Sequence, residues 1–146
     1  MKVGTALILL LAATASAAAQ TVTDGDTIKL GGVIYRLWGI DAPESKQTCA
    51  DGWPAGSLAT TRMQALISGR NVVCQEKARD RYGRVVAICR ASGEDLGAIM
   101  VRDGMAWAFV RYSRDYVGQE ERAKADRLGV HAHDCSVAWE WRAQHR

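Results

Sequence analysis

Residues 27–40 read TIKLGGVIYRLWGI, and the reading of this stretch decides the fold. Thr27-Ile28-Lys29-Leu30 has the make-up of a strand. Gly31-Gly32 is a tight turn, because two glycines accept the positive φ values of a two-residue hairpin. Val33 to Ile40 is the return strand, apolar on both faces, which predicts that it is largely buried. Pro43 ends it. After a loop holding Cys49, Trp53 and Pro54, the segment Ser57 to Ser68 sets Leu58, Met63, Leu66 and Ile67 at roughly helical spacing, with Gly69 as its cap. Residues 71–75 and 85–89 are β-rich and flank the charged segment Glu76–Arg84, as in a hairpin. A short helix over Glu94–Asp103, an apolar run Met105–Val110 that suits a strand, and a charged helix over Tyr116–Arg127 follow. This order predicts an α+β fold, a five-stranded OB-type β-barrel with about three helices.

The composition suits such a domain. Of 146 residues, 48% are hydrophobic and 24% charged, which excludes the signature of a disordered chain. The length argues for one domain. Lys and Arg number 19 against 16 Asp and Glu, a net +3 that permits a polyanionic partner without requiring one. Residues 1–19 stand apart. Met1-Lys2 is a short basic start, Ala6–Ala13 is apolar, and two A-x-A sites follow at Ala15–Ala17 and Ala17–Ala19, the layout of a secretory signal peptide. The run is shorter than the roughly 20 apolar residues of a membrane span. Cleavage after Ala19 (or Ala17) is expected to leave residues 20–146 as an exported domain, periplasmic or secreted. Four cysteines lie in that domain, none in a C-x-x-C pair, and an even count in an exported chain favours disulfides over zinc.

Three segments concentrate charge. Asp24-Gly25-Asp26-Thr27 opens a strand; the plain reading is a turn in which Asp24 bonds nearby backbone. In Arg36-Leu37-Trp38-Gly39-Ile40-Asp41-Ala42-Pro43-Glu44, an arginine interrupts an apolar strand, and a buried guanidinium needs an anionic partner. Strict alternation puts Arg36 and Asp41 on opposite faces, whereas a bend at Gly39 brings them together. An Arg36–Asp41 salt bridge and a ligand-binding pair are both open at this point. The third segment is Asp80-Arg81-Tyr82-Gly83-Arg84, a basic hairpin tip that is either a solvated loop or an anion-binding one.

With these residues in view, the chain resembles the staphylococcal nuclease (thermonuclease) family. The resemblance rests on VTDGDTIKL (Val22–Leu30), YRLWGIDAPES (Tyr35–Ser45), DRYGRVVA (Asp80–Ala87) and VRDGMAWAFVRY (Val101–Tyr112), in the family's order, and runs from Val22 to about Gly129. It implies an OB-fold and a Ca²⁺-dependent endonuclease that hydrolyses DNA and RNA with little base specificity, leaving 3′-phosphates. Carried over by position, Asp26 and Asp41 match carboxylate metal ligands, and Ala42 stands where the family uses a main-chain carbonyl. Glu44 matches the general base on the attacking water. Arg36 and Arg84 match the two arginines that hold the phosphate. Arg81, Tyr82 and Tyr112 are assigned to substrate binding, while Val110 replaces an aromatic residue of the family. Hydrolysis of a phosphodiester needs an oriented nucleophile, screening of anionic oxygens and help for the leaving 5′-oxygen, and these residue types supply all three. A monomer is expected. The alternatives are a non-catalytic OB-fold module binding an anionic polymer or protein, and an envelope or polysaccharide accessory protein.

The tail departs from the pattern. His131-Ala132-His133-Asp134-Cys135 admits a soft-metal site, though an oxidised Cys135 is the plainer reading. Trp139 and Trp141 read as packing residues, and Trp38, Trp107 and Phe109 as core. Of the three possible cysteine pairings, Cys74 with Cys89 is expected across the hairpin, which leaves Cys49 with Cys135.

Overall fold

The computed structural model describes residues 19–145. The expected leader, apart from Ala19, lies outside the described residues. Strands β1 (Gln20–Asp24), β2 (Thr27–Leu30) and β3 (Val33–Leu37) form an antiparallel meander. Leu30 pairs with Val33 across Gly31-Gly32, both at positive φ, so the two-residue hairpin is formed as its glycines require.

The return segment is not one strand. It breaks at Trp38-Gly39 and resumes as β4 (Ile40–Asp41). Gly39 takes φ 69°, and a Cβ there would meet the Tyr116 ring at 3.1 Å, so both backbone and space demand glycine. Nor is the segment buried throughout, since Val33 and Ile34 are 42% and 43% exposed. They sit beside the hairpin turn, and apolar character does not guarantee burial there. Burial begins at Leu37 and continues through Ile40 and Asp41.

Helix α1 (Ala55–Ile67) follows, then the long hairpin β5 (Val72–Arg79) and β6 (Val85–Ala91). β6 runs parallel to β3, with Tyr35 opposite Val85 and Arg36 opposite Val86. Five strands thus share one ladder in the order β1-β2-β3-β6-β5, with β7 (Glu94–Asp95) added to β6. Helix α2 (Leu96–Arg102) is capped by Asp95, whose side chain accepts the Ala98 N–H. β8 (Trp107–Ala108) pairs with β4, placing Trp107 opposite Asp41. Helix α3 (Val117–Ala125), a 3₁₀ turn (Gly129–His131) and helix α4 (Ala138–Gln144) complete the chain. The α+β class is as expected. Among the described residues the α-helices number four, because α4 is added in the tail.

The main core packs α1 and α2 onto the sheet through Ile28, Leu37, Met63, Leu96, Met100 and Val101. Of the five aromatic side chains assigned to packing, Trp107 is buried and the others are not. Trp38 is partly buried against the main core, and its indole N–H donates to Asp115 Oδ2 at 3.1 Å. Phe109 is half-buried and touches Tyr112 and Trp139, at centroid distances of 5.1 and 5.4 Å. Both disulfides form as expected. Cys74 and Cys89 are register partners in β5 and β6, and Cys49 pairs with Cys135.

Candidate active site

The site begins at the turn between β1 and β2. Asp24 Oδ1 accepts the backbone N–H of Asp26 at 3.1 Å, the bracing role that its turn position suggests. The turn directs the Asp26 carboxylate inward, where it is almost fully buried. Asp26 Oδ1 accepts from Thr27 Oγ1 at 3.0 Å and from Arg36 Nη1 at 3.1 Å, and Oδ2 accepts from the Ala42 N–H at 2.9 Å. Burial pushes the Asp26 carboxyl above its ordinary pKa, and the Arg36 charge only partly offsets it.

Arg36 links Asp26 to Asp41. Its Nη2 donates to Asp41 Oδ1 at 2.7 Å. The bend at Gly39 is what allows this, since it resets the alternation and puts Asp41 on the side of Arg36. Desolvation opposes the guanidinium charge, but Asp26 and Asp41 outweigh it and raise the Arg36 pKa. Asp41 has no exposed surface. Glu44 is half-exposed three residues on, beyond Pro43. Its backbone N–H donates to Oε1 of the buried Gln47 at 3.1 Å. Gly56, at the start of α1, lies against the Glu44 carbonyl so closely that a Cβ would overlap it.

Asp26, Arg36, Asp41, Ala42 and Glu44 therefore meet in one place. Arg84 is built into a different unit. Asp80 Oδ1 accepts the backbone N–H groups of Tyr82 and Arg84 at 2.9 and 3.0 Å, and its Oδ2 accepts from Arg84 Nε at 2.6 Å. Burial works against the Asp80 charge, yet these bonds hold its carboxyl below the ordinary range. The tip is thus braced from within. Arg84 immediately precedes Val85, the register partner of Tyr35, so it stands at the start of β6, two residues before the Val86 that faces Arg36. Arg81 and Arg84 both lie over the Tyr82 ring, at 5.0 and 5.6 Å. Tyr82 and Tyr112 are broadly exposed, at 69% and 67%.

Two members of the site carry no local signal in the sequence. Arg142 of α4 donates from Nη1 to Asp41 Oδ1 (3.1 Å) and Glu44 Oε1 (2.6 Å), and from Nη2 to Asp41 Oδ2 (2.8 Å). Its carboxylate bonds outweigh its desolvation and raise its pKa. Gln47 donates from Nε2 to the Ser136 carbonyl at 2.7 Å while it accepts from Glu44. An arginine 101 residues from its carboxylate is invisible to any pattern read along the chain. His133 of the tail does other work. His133 Nδ1 pairs with Asp51 Oδ2 at 2.8 Å, and its ring stacks on Trp53. Cys135 is oxidised, so the soft-metal reading of this segment loses its thiolate.

A sequence profile for the family described as Staphylococcal nuclease homologue matches residues 34–133. The chain belongs to that family. An uncharacterized endonuclease of Haemophilus influenzae is 31% identical over 133 residues, 86% of this chain and 71% of the relative. A micrococcal nuclease of Shigella flexneri is 34% identical over 139 residues, covering 83% and 76%. A succinoglycan biosynthesis protein, ExoI, of Rhizobium meliloti is 32% identical over 136 residues, covering 85% and 63%. As a staphylococcal nuclease homologue the chain is a nuclease, a hydrolase whose substrate is nucleic acid. Among the described residues, no helix is long and apolar enough to cross a membrane.

Proposed function

We propose that this staphylococcal nuclease homologue is an exported, Ca²⁺-dependent endonuclease that cleaves DNA and RNA with little base specificity. The observation that carries this reading is the convergence of Asp26 and Asp41 on one guanidinium, with Glu44 beside them.

Among the described residues no three acidic, imidazole or thiolate side chains form a metal cage. The donors present nevertheless fit a hard cation. They are oxygens only, and the two buried carboxylates already gather around positive charge. Asp26 and Asp41, with the Ala42 carbonyl, would hold Ca²⁺. When bound, the ion supplies neutralising charge to the phosphodiester. Glu44 takes a proton from the attacking water at its carboxylate, which its half-exposed position allows. Arg36 and Arg84 present N–H donors to the phosphate oxygens, where planar forks give both charge and direction. Arg81, Tyr82 and Tyr112 meet the flanking nucleotides. Exposed rings stack on any base, in keeping with low sequence preference. Two disulfides support an oxidising location, periplasmic or extracellular.

The test is digestion of DNA and RNA with Ca²⁺ and then with a chelator, comparing wild type with Glu44→Gln. Chelation is expected to abolish cleavage, and the substitution to lower turnover at least ~100-fold while nucleic-acid binding persists. Near-normal turnover of Glu44→Gln would remove the mechanism. A part in envelope polysaccharide assembly is a second reading, favoured by the name of the Rhizobium relative. A folded wild type that leaves nucleic acid intact in Ca²⁺ would favour a non-catalytic binding module over the nuclease.

A further inference from the structure

Arg142 has no role in the reaction as described, yet it makes three hydrogen bonds to Asp41 and Glu44, where Arg36 makes one to Asp41. Both Asp41 oxygens are engaged by it, and Asp41 is fully buried. The helix that carries Arg142 is fixed at several points to the loop that carries Glu44. Cys135 is bonded to Cys49, the Ala50 N–H donates to the Asp134 carbonyl at 2.8 Å, and Gln47 joins Glu44 to Ser136. Ala138, the first residue of α4, is buried against Trp107 and Val130. Arg142 is therefore delivered to the carboxylates by covalent and buried polar contacts. It is not a mobile surface side chain that happened to find an acid.

Two guanidiniums on Asp41 leave it well neutralised, and a divalent ion reaching the same carboxylate meets the Arg142 charge at close range. Like charges a few ångströms apart in a half-buried site repel strongly, so Arg142 and a divalent ion oppose one another at Asp41. We propose that Arg142 is the resident counter-cation of Asp41 and Glu44, and that a divalent cation must displace it from Asp41 in order to bind. Arg142 then sets the metal affinity of the site. It holds the Glu44 carboxylate beside Asp41 in the metal-free chain and frees it for water when the ion enters. This makes Arg142 a positioning residue, and the inference rests on the reading of Asp26 and Asp41 as cation ligands.

The experiment is calorimetric titration of Ca²⁺ into the disulfide-intact chain, as wild type, Arg142→Gln and Arg142→Lys. Arg142→Gln, which keeps length but not charge, is expected to bind Ca²⁺ at least ~10-fold more tightly. Arg142→Lys keeps the charge and stays near wild type. Thermal melts give a second readout. Arg142→Gln melts below wild type in chelator, because a buried carboxylate has lost a partner, and gains more from added Ca²⁺. In the unaltered chain, the side-chain N–H resonances of Arg142 shift or broaden on Ca²⁺ addition, a measurement that needs no variant to fold. Equal or weaker Ca²⁺ binding by Arg142→Gln, or Arg142 resonances indifferent to Ca²⁺, overturns this inference alone. Absence of Ca²⁺ binding in wild type and variant overturns both it and the cation reading beneath it.

Discussion

The core around Ile28, Leu37, Met63, Leu96, Met100 and Val101 gathers side chains from the strands and from α1 and α2, whereas the cluster beneath the tail holds Trp107, Val130 and Ala138, edged by Trp53, Cys135 and Val137. The first removes many large apolar side chains from water and needs no further device. The second buries one large ring and two small residues, and it is supplemented by a disulfide, the Gln47 bridge and the Arg142 ion pairs. The acids proposed for catalysis connect to both: Asp26 sits in the turn before β2 of the main sheet, Asp41 pairs with Trp107 of the small cluster, and Glu44 is joined to the tail through Gln47 and Arg142. A small apolar cluster can position a catalytic loop when covalent and polar links carry what burial does not.

Removing those links one at a time sharpens the contrast. The largest effect is expected from the disulfides. Cys49–Cys135 closes a loop with a sequence separation of 86, against 15 for Cys74–Cys89. The chain-entropy argument gives about 4–5 kcal/mol for the longer loop and about 3 kcal/mol for the shorter. Urea unfolding of the two double serine variants checks the order. Loss of Cys49–Cys135 should also depress nuclease activity in the folded state, because it loosens Glu44 and Arg142 together. Equal activity in the two variants would break the link drawn between tail and site.

Gln47→Met is next. It keeps the volume but leaves the Glu44 N–H and the Ser136 carbonyl without this partner, and about 1–3 kcal/mol of stability should be lost. Turnover should fall more than substrate affinity, since the substitution moves Glu44, the proposed base, and not Arg36 or Arg84, the arginines proposed to hold phosphate. A purely structural Gln47 would leave turnover of the folded enzyme unchanged.

The smallest effect concerns His131, whose buried Nε2 has no hydrogen-bond partner among the described residues. Burial lowers its pKa below the ordinary 6.5, with Glu120 opposing and Lys124 adding to the shift. The unfolded chain then binds more protons, so stability is full above 6.5 and declines as the pH falls from there toward the lowered folded pKa. Urea midpoints at pH 7.5 and 5.5 should differ less in His131→Leu than in wild type. Identical pH slopes would show that the tail cluster carries no titrating group of consequence.

How far the sequence could be read depended on the range of the interactions. The Gly31-Gly32 turn, the helix ending at Ile67, the β5–β6 hairpin and its cross-strand Cys74–Cys89 pair all follow from residues close in the chain, where turn chemistry and periodicity act. Arg36 was legible because a charge in an apolar strand needs a partner, whereas Asp26, Asp41 and Glu44 were picked out by the family resemblance of their motifs. Val33, Ile34 and Phe109 were misjudged because composition reports what a side chain prefers, not what covers it. The parallel pairing of β3 with β6 depends on where α1 and β5 send the chain.

By itself, then, the sequence determined the turns, the hairpins and much of the apolar patterning, and its motifs carried the family resemblance that points to Asp26, Arg36, Asp41, Glu44 and Arg84. Tertiary structure chose between the two arrangements that Gly39 allowed for Arg36 and Asp41, and it alone decided that Gln47 would join Glu44 to Ser136 and that Arg142 would lie on Asp41 from 101 residues away. The physical reason is that local preferences act over a few residues, whereas a buried carboxylate selects its partner by distance in space and by exclusion of water. Neither of these is written along the chain.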